Sequence, residues 1–297
     1  MKSRRPQQKT KREKRKIRKK IVLIILAVLI IIGTGAYVMN HEYLKLEQIE
    51  IRGQKTLIAD DVTEATQSYL DSKYFWIFSK SNIFIFNRAQ LKKKLTETFP
   101  KIENIEVNVE GAEKVIVTIG ERSAHSLWCI DKEYESVFDE ECYFADSGGL
   151  LYARAPYFSG SIYMKMFIEP YEEGEYIGSQ VKDEGEFNEL FEFLNQLEEN
   201  FPMKIAETGF DNFRDVRISL SRINNVVYPE RRVTLLYNEK DDYETILRNV
   251  GIVLDLEEFQ EEFNLYSSRL ESIDVRFEDR IFYTFTPIDI SIDSESE

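Results

Sequence analysis

The residues that could do chemistry are few, since the chain of 297 residues has two histidines and two cysteines. His125 lies in a predicted strand, and His41 lies before the predicted folded domains. A lone histidine in a strand is more often a structural or exposed residue than a general base. The sequence also has no glycine-rich phosphate loop and no nucleophile elbow. We therefore predict that the protein is not an enzyme.

Acidic residues are abundant, with 53 Asp and Glu, but their pattern does not indicate a metal site or a catalytic pair. A calcium loop needs Asp and Asn at regular spacing, and neither the cluster 139–141 nor the cluster 169–175 has it. Two cysteines and two histidines are too few ligands for a structural zinc site. The prediction is that no metal and no cofactor bind, and that both clusters are solvated loops.

A charge step separates the N-terminal segment from the rest of the chain. Residues 1–20 contain twelve Lys and Arg against one acid, although the whole chain has 39 basic and 53 acidic residues. Residues 21–39 follow without a charge, and as a helix they measure roughly 28 Å, close to the thickness of a hydrocarbon core.

This pattern predicts a single-pass transmembrane helix at 21–39. The basic tail, residues 1–20, is predicted in the cytoplasm and the body outside the cell (cytoplasmic) membrane. The tail is interpreted as a topology signal, so we predict no nucleic-acid partner. A cleavable signal peptide is the alternative.

Cys129 and Cys142 flank a polar, acidic loop. An extracytoplasmic location permits a disulfide between them, and strands at 125–130 and 141–145 could place them across a hairpin. A disulfide that closes a loop of this size stabilises by about 3 kcal/mol in the chain-entropy model. Two free, buried thiols are the alternative.

The hydrophobic periodicity predicts an α+β protein. Residues 44–121 have the pattern of a β-α-α-β-β domain, and residues 122–286 that of a mostly antiparallel β-sheet domain. Two amphipathic helices interrupt the second domain, at 186–201 and at about 242–263. Residues 287–297 are acidic and polar, and we predict that this tail is disordered.

Several short stretches of sequence, taken together and in their order along the chain, indicate a protein family. They are Ser81–Phe84, Thr98–Ile102, Ile119–Arg122, Leu127–Cys129, Cys142–Asp146, Ile273–Phe277 and Arg280–Tyr283. Together with the domain layout, they resemble the FtsQ/DivIB family of bacterial cell-division proteins, in which the first outer unit is a POTRA domain.

The resemblance implies a non-enzymatic, membrane-anchored scaffold of the divisome at the division septum. Such a scaffold binds two small single-span coiled-coil proteins, FtsL-like and FtsB/DivIC-like, and through them helps control septal peptidoglycan synthesis. A POTRA-containing outer-membrane assembly or secretion factor is the alternative, although the two amphipathic helices argue against it. A membrane-anchored cell-wall hydrolase is a further alternative, for which the sequence offers no catalytic constellation.

The last predicted strand, at about 281–285, is the best candidate for a partner site. An exposed strand edge can accept a strand from a partner, with affinity from main-chain hydrogen bonds. Arg276 and Arg280 are placed to meet acids on that partner. The predicted partner-binding residues are Arg276, Arg280, Ile281, Phe282, Tyr283 and Phe285. The alternative is that these residues only close the core of their own sheet.

Overall fold

The computed structural model describes most of the chain. The described residues are 11–39, 41–76, 78–131, 139–158, 162–170, 175–201, 203–211, 213–221, 232–265, 268–277 and 280–287. Residues 1–10 of the predicted basic tail and 288–297 of the predicted acidic tail lie outside them. The chain divides into two compact units, residues 1–121 and 122–297.

The N-terminal helix, α1, spans Lys11–Met39 and therefore begins within the basic segment. Among the described residues, no helix combines the length and the apolar character needed to cross a membrane. This finding contradicts the transmembrane helix predicted at 21–39, and with it the predicted single-pass location in the cell membrane with a cytoplasmic N-terminus.

The first unit contains a three-stranded sheet on which two helices pack. Its elements after α1 are a 3-10 turn at Glu42–Leu44, β1 Gln48–Arg52, α2 Ala59–Asp71, β2 Lys73–Tyr74, β3 Phe78–Ser79, α3 Arg88–Thr98, β4 Ile102–Glu110 and β5 Lys114–Glu121. The sheet order is β1-β5-β4, with β1 parallel and β4 antiparallel to β5. The long elements follow the predicted β-α-α-β-β order, and the short hairpin β2–β3 lies in the connection between the two helices.

The core of the first unit follows from helical and strand periodicity. Val62 and Leu70 of α2 and Leu91 and Leu95 of α3 are fully buried against alternate residues of β5 such as Val117. The side chain of Asn87 accepts a hydrogen bond from the Gln90 N–H and so caps the start of α3. The buried faces of both helices thus fix them on one face of the sheet.

Glu121, at the end of β5, holds the loop between β1 and α2. Its carboxylate accepts hydrogen bonds from the N–H groups of Lys55, Thr56 and Leu57. Burial acts to raise the pKa of Glu121, but these hydrogen bonds outweigh it and lower the pKa to about 2. The stability that this carboxylate contributes is therefore present above the unfolded pKa of about 4.3 and is lost as the pH falls toward 2.

The second unit is built on a nine-stranded sheet. Its elements are β6 Ser126–Ile130, β7 Cys142–Ala145, β8 Leu151–Arg154, β9 Lys165–Ile168, α4 Glu184–Asn200, β10 Lys204–Phe210, β11 Asp215–Ser221, β12 Val233–Asn238, α5 Tyr243–Asp255, α6 Glu257–Asn264, β13 Ser268–Phe277 and β14 Arg280–Pro287. The strand order is β14-β13-β12-β11-β10-β9-β6-β7-β8. Most neighbours are antiparallel, and the pairs β6–β9, β9–β10 and β12–β13 are parallel.

The three helices of the second unit bury their apolar side chains in one large core with the sheet. Phe187 and Leu194 of α4 are fully buried in this core with residues of the sheet such as Ile218. The predicted helix at 242–263 is two helices, because the chain is extended at Leu256, with φ −69° and ψ 126°. The break allows α6 to place Phe259, which is 1 % exposed, against the last strand of the sheet.

Candidate partner-binding edge

Strand β14 lies at one end of the nine-stranded sheet. Within the described part of the chain, its only strand neighbour is β13, with Ile273 opposite Tyr283 and Asp274 opposite Phe282. The edge of β14 that faces away from β13 therefore presents main-chain N–H and C=O groups that the sheet does not pair. This edge carries five of the six residues predicted to bind a partner.

The inward face of β14 supports the domain's own core. Ile281, Tyr283 and Phe285 are half-buried and pack against the large core. The ring of Phe259 lies 5.4 Å from the rings of both Tyr283 and Phe285, measured between centroids. These three side chains therefore hold β14 in position, and their contribution to a partner site would come from their main chain.

The outward face of the sheet is open at β13 and β14, and an aromatic pair with one ring from each strand lies on it. Phe282 and Phe277 are each 49 % exposed, and their rings meet edge-to-face with centroids 5.3 Å apart. Ile273 and Val275 are buried, so regular strand alternation would also bury Phe277. A register shift between Asp274 and Phe277 instead turns the Phe277 side chain outward. Sequence reasoning missed Phe277 for this reason, since nothing in the residue types signals the bulge.

The two predicted arginines differ in their surroundings. Arg276 donates from Nε and Nη2 to Asp274, at 2.9 and 2.6 Å, and from Nη1 to Asp215, at 2.5 Å. The hydrogen bond to Asp274, followed by that to Asp215, raises the pKa of Arg276 above its ordinary value. Arg280 is exposed and forms no ion pair with a described residue. Arg276 is thus engaged within its own domain, and Arg280 is the more available of the two for an acid on a partner.

The same contact lowers the pKa of Asp274, the aspartate beside Arg276. Burial acts to raise the pKa of Asp274, but the hydrogen bonds from the side chain and the N–H of Arg276 outweigh it and lower the pKa. Asp274, Arg276 and Asp215 come from β13 and β11, so the cluster joins two strands across β12. It reinforces the end of the sheet that carries β14.

The opposite end of the sheet is covered. In β8, the Leu151 N–H donates to the Ser179 carbonyl at 3.0 Å, and the Gly178 N–H donates to the Leu151 carbonyl at 2.7 Å. Leu150 also forms an isolated bridge with Gln180. The loop before α4 therefore occupies main-chain groups at the edge of β8, and no described segment does so at β14.

Cys129 and Cys142 lie directly opposite each other on β6 and β7, where they form a disulfide with Cα atoms 4.0 Å apart. The Ile130 N–H bonds the Glu141 carbonyl, so the cysteines occupy the neighbouring, narrow pair of the ladder. A narrow pair brings the two side chains within reach of each other. The redox state of the pair in solution stays a prediction.

A carboxylate lies beside the two sulfurs but does not complete a metal site. The side chains of Cys129, Glu140 and Cys142 place their donor atoms within 4.8 Å of one another. The sulfurs are bonded to each other, however, and Glu140 is engaged by the Nζ of Lys165 at 2.6 Å. With the disulfide formed, only one carboxylate remains as a ligand, which is too few to hold a metal.

The geometry of the first unit defines a class of protein, since two helices on a β1-β5-β4 sheet in the order β-α-α-β-β are POTRA-like. Residues 44–122 match the family model described as POTRA domain, FtsQ-type. This match confirms the resemblance seen in the sequence: it identifies a POTRA domain of the FtsQ type in the first unit and supports an assignment to the FtsQ/DivIB family. A search of curated proteins found no match.

Proposed function

We propose that this chain is a non-enzymatic cell-division scaffold whose open edge at β14 binds an FtsB/DivIC-like coiled-coil protein. The FtsQ-type POTRA domain supports the role in cell division, and the FtsQ type is generally non-enzymatic. The difference between the covered edge of β8 and the open edge of β14 supports the binding site most directly. Natural sheets usually cover or blunt their edges, so an open edge indicates use by a partner.

Binding at this edge would occur by β-augmentation. An extended segment of the partner pairs with the free main chain of β14, which supplies affinity, and side chains on the outward face supply specificity. Phe277 and Phe282 form the apolar contact beside the edge. Arg280 meets an acid of the partner, which favours correct register.

As a scaffold, the chain joins several division proteins in one assembly. The FtsB/DivIC-like protein brings its FtsL-like coiled-coil partner, and the complex as a whole helps control septal peptidoglycan synthesis. In this account the chain performs no chemical step itself, and its contribution is the geometry in which its partners are held.

The test is the affinity of the full chain for the purified FtsB/DivIC-like partner, measured by calorimetry. Replacing both Phe277 and Phe282 by alanine removes the exposed aromatic pair, and the Kd should rise about thirtyfold, equivalent to about 2 kcal/mol. Phe213→Ala is the matched control, because Phe213 is also an exposed phenylalanine of this unit, at 84 %. Unchanged affinity in the double variant would exclude the outward face of β13 and β14 as the site.

A further inference from the structure

A groove separates α4 from α5 on the helical layer of the second unit. Its volume is about 500 Å³. The buried side chains of Leu197, Phe201 and Val250 form the floor, and Leu247 and Leu254 line it further along α5. The groove is thus an apolar slot along two helices, on a different element of the domain from β14.

Gly251 keeps this groove open. It lies inside the helix α5, Tyr243–Asp255, where glycine is less favourable than alanine by roughly 1 kcal/mol. A Cβ atom built on Gly251 meets no heavy atom within 4 Å. The packing of the domain itself therefore does not require glycine at position 251. The absence of a side chain there leaves the groove unfilled.

The apolar surface continues past the groove along the same helix. Ile252 is 51 % exposed, and Leu256, which follows the helix, is 42 % exposed. Neither side chain is needed to close the core, which α5 reaches through Ile246, Val250 and Val253.

The helices around the groove carry mainly negative charge. The helices α4, α5 and α6 carry twelve acidic side chains and one basic side chain, Arg248. Glu244 and Asp255 line the groove near its two ends on α5, and Arg248 lines it between them. A ligand with an apolar surface and flanking positive charges is complementary to this arrangement.

We propose that this groove binds an amphipathic helix of a partner protein, with Lys or Arg beside its apolar stripe. The stripe, with residues at i, i+3, i+4 and i+7, fills the slot between the helices. The cations pair with Glu244 and Asp255. A strand is not the ligand, because the main chain of α4 and α5 is already bonded within the helices and offers no ladder to extend. The site is independent of the proposed binding at β14.

The probe is a labelled synthetic helix of about 18 residues, with leucine at the stripe positions and lysine beside them. We expect it to bind the full chain in an anisotropy titration. Gly251→Trp should weaken the binding at least tenfold, because the indole fills the groove. Gly251→Ala is the matched control, and it should raise the Tm while it changes the affinity less than threefold.

The charge and the identity of the occupant are tested separately. A peptide with glutamate in place of every lysine should bind at least tenfold more weakly. Equal binding of both peptides, or equal binding of the lysine peptide to wild type and Gly251→Trp, would overturn the proposal. So would a wild-type chain that self-associates in sedimentation and becomes monomeric in Gly251→Trp, since the occupant is then a second copy. A chain with Arg280→Glu in β14, which should keep the Tm of wild type, should also bind the probe like wild type, so this test is independent of the proposed function.

Discussion

The two ends of the nine-stranded sheet are built differently. At the β8 end, the loop before α4 bonds the edge, and a small cluster that includes the Cys129–Cys142 disulfide packs on the sheet face. At the β14 end, the described residues place no segment over the edge, and the strand is held by Phe259 and by the ion cluster around Arg276. One end is closed by covalent and main-chain bonds, whereas the other is held by side chains and keeps its main chain free.

The difference indicates how one sheet serves stability and binding at once. An unpaired edge invites unwanted association unless it is covered or reserved for a partner. In this interpretation the covered β8 end stabilises the domain, and the β14 end leaves its edge free for a partner. If this interpretation is right, changes at the β8 end should alter the free energy of unfolding, and changes at the outer edge of β14 should alter partner affinity.

The largest effect on stability is expected at the closed end. Replacing Cys129 and Cys142 by alanine removes the disulfide and should lower the free energy of unfolding by about 3 kcal/mol, while affinity for the FtsB/DivIC-like partner stays within threefold. Urea denaturation measures the first quantity and calorimetry the second. Mass mapping without reduction is the control, and recovery of both cysteines as alkylated thiols would show that no disulfide forms.

The next largest effect is expected from proline in β14. Successive N–H groups of a strand point to opposite sides, so of Tyr283 and Thr284 one N–H faces β13 and the other faces the open edge. Proline at the position facing β13 should destabilise the domain. Proline at the other position should keep the Tm within a few degrees and weaken partner binding about thirtyfold or more.

Thermal melts identify which of the two variants stays folded, so the binding assay is read on a folded protein. Tyr283→Pro also disturbs a ring that packs on Phe259, whereas Thr284 is exposed. A folded proline variant with wild-type affinity would mean that the partner does not use the main chain of β14.

A smaller effect separates the two arginines. Arg280→Glu should lower partner affinity about tenfold, or roughly 1.4 kcal/mol, and leave the Tm unchanged, because its side chain is exposed. Arg276→Glu places a third acid beside Asp274 and Asp215 and should destabilise the domain by about 2 kcal/mol. If instead Arg276→Glu kept full stability, the ion cluster would not hold the open end.

The smallest effect is a pH dependence at the open end. The pKa of Asp274 is lower in the folded protein than in the unfolded chain. Its contribution to stability is therefore present above the unfolded pKa of about 3.9 and is lost as the pH falls below that value. The loss between pH 5 and pH 3 should be smaller in Asp274→Asn than in wild type, as measured by urea denaturation. Equal losses would assign the pH dependence to other groups.

Periodicity in the sequence located the helices and strands that bury apolar side chains. The α4 stripe with Phe187 and Leu194, and the alternation that ends at Val117 in β5, are repeated patterns set by local geometry. The cysteines also lie opposite each other, because both occur in short apolar strands on either side of one loop. Signals of this kind depend on neighbours in the chain, so they can be read without a tertiary structure.

The remaining features depend on contacts between distant segments. The bulge that exposes Phe277, the break at Leu256 and the bond from Arg276 to Asp215 have no local signature, since each depends on how strands and helices meet. The transmembrane helix predicted at 21–39 was wrong. In the structure the helix begins at Lys11, within the basic segment, and no described helix is long and apolar enough to cross a membrane. The groove beside Gly251 was not predicted either, because it depends on the packing of α4 on α5.

The most direct test of the central claim is hydrogen exchange of the main-chain amides, with and without the FtsB/DivIC-like partner. Alternate amides of β14, Arg280–Pro287, should exchange fast in the free protein and become protected in the complex, since only every second N–H faces the open edge. The amides of β8 should be unchanged, because that edge is already bonded. Protection confined to the POTRA unit, with β14 exchanging at its free rate, would contradict the account.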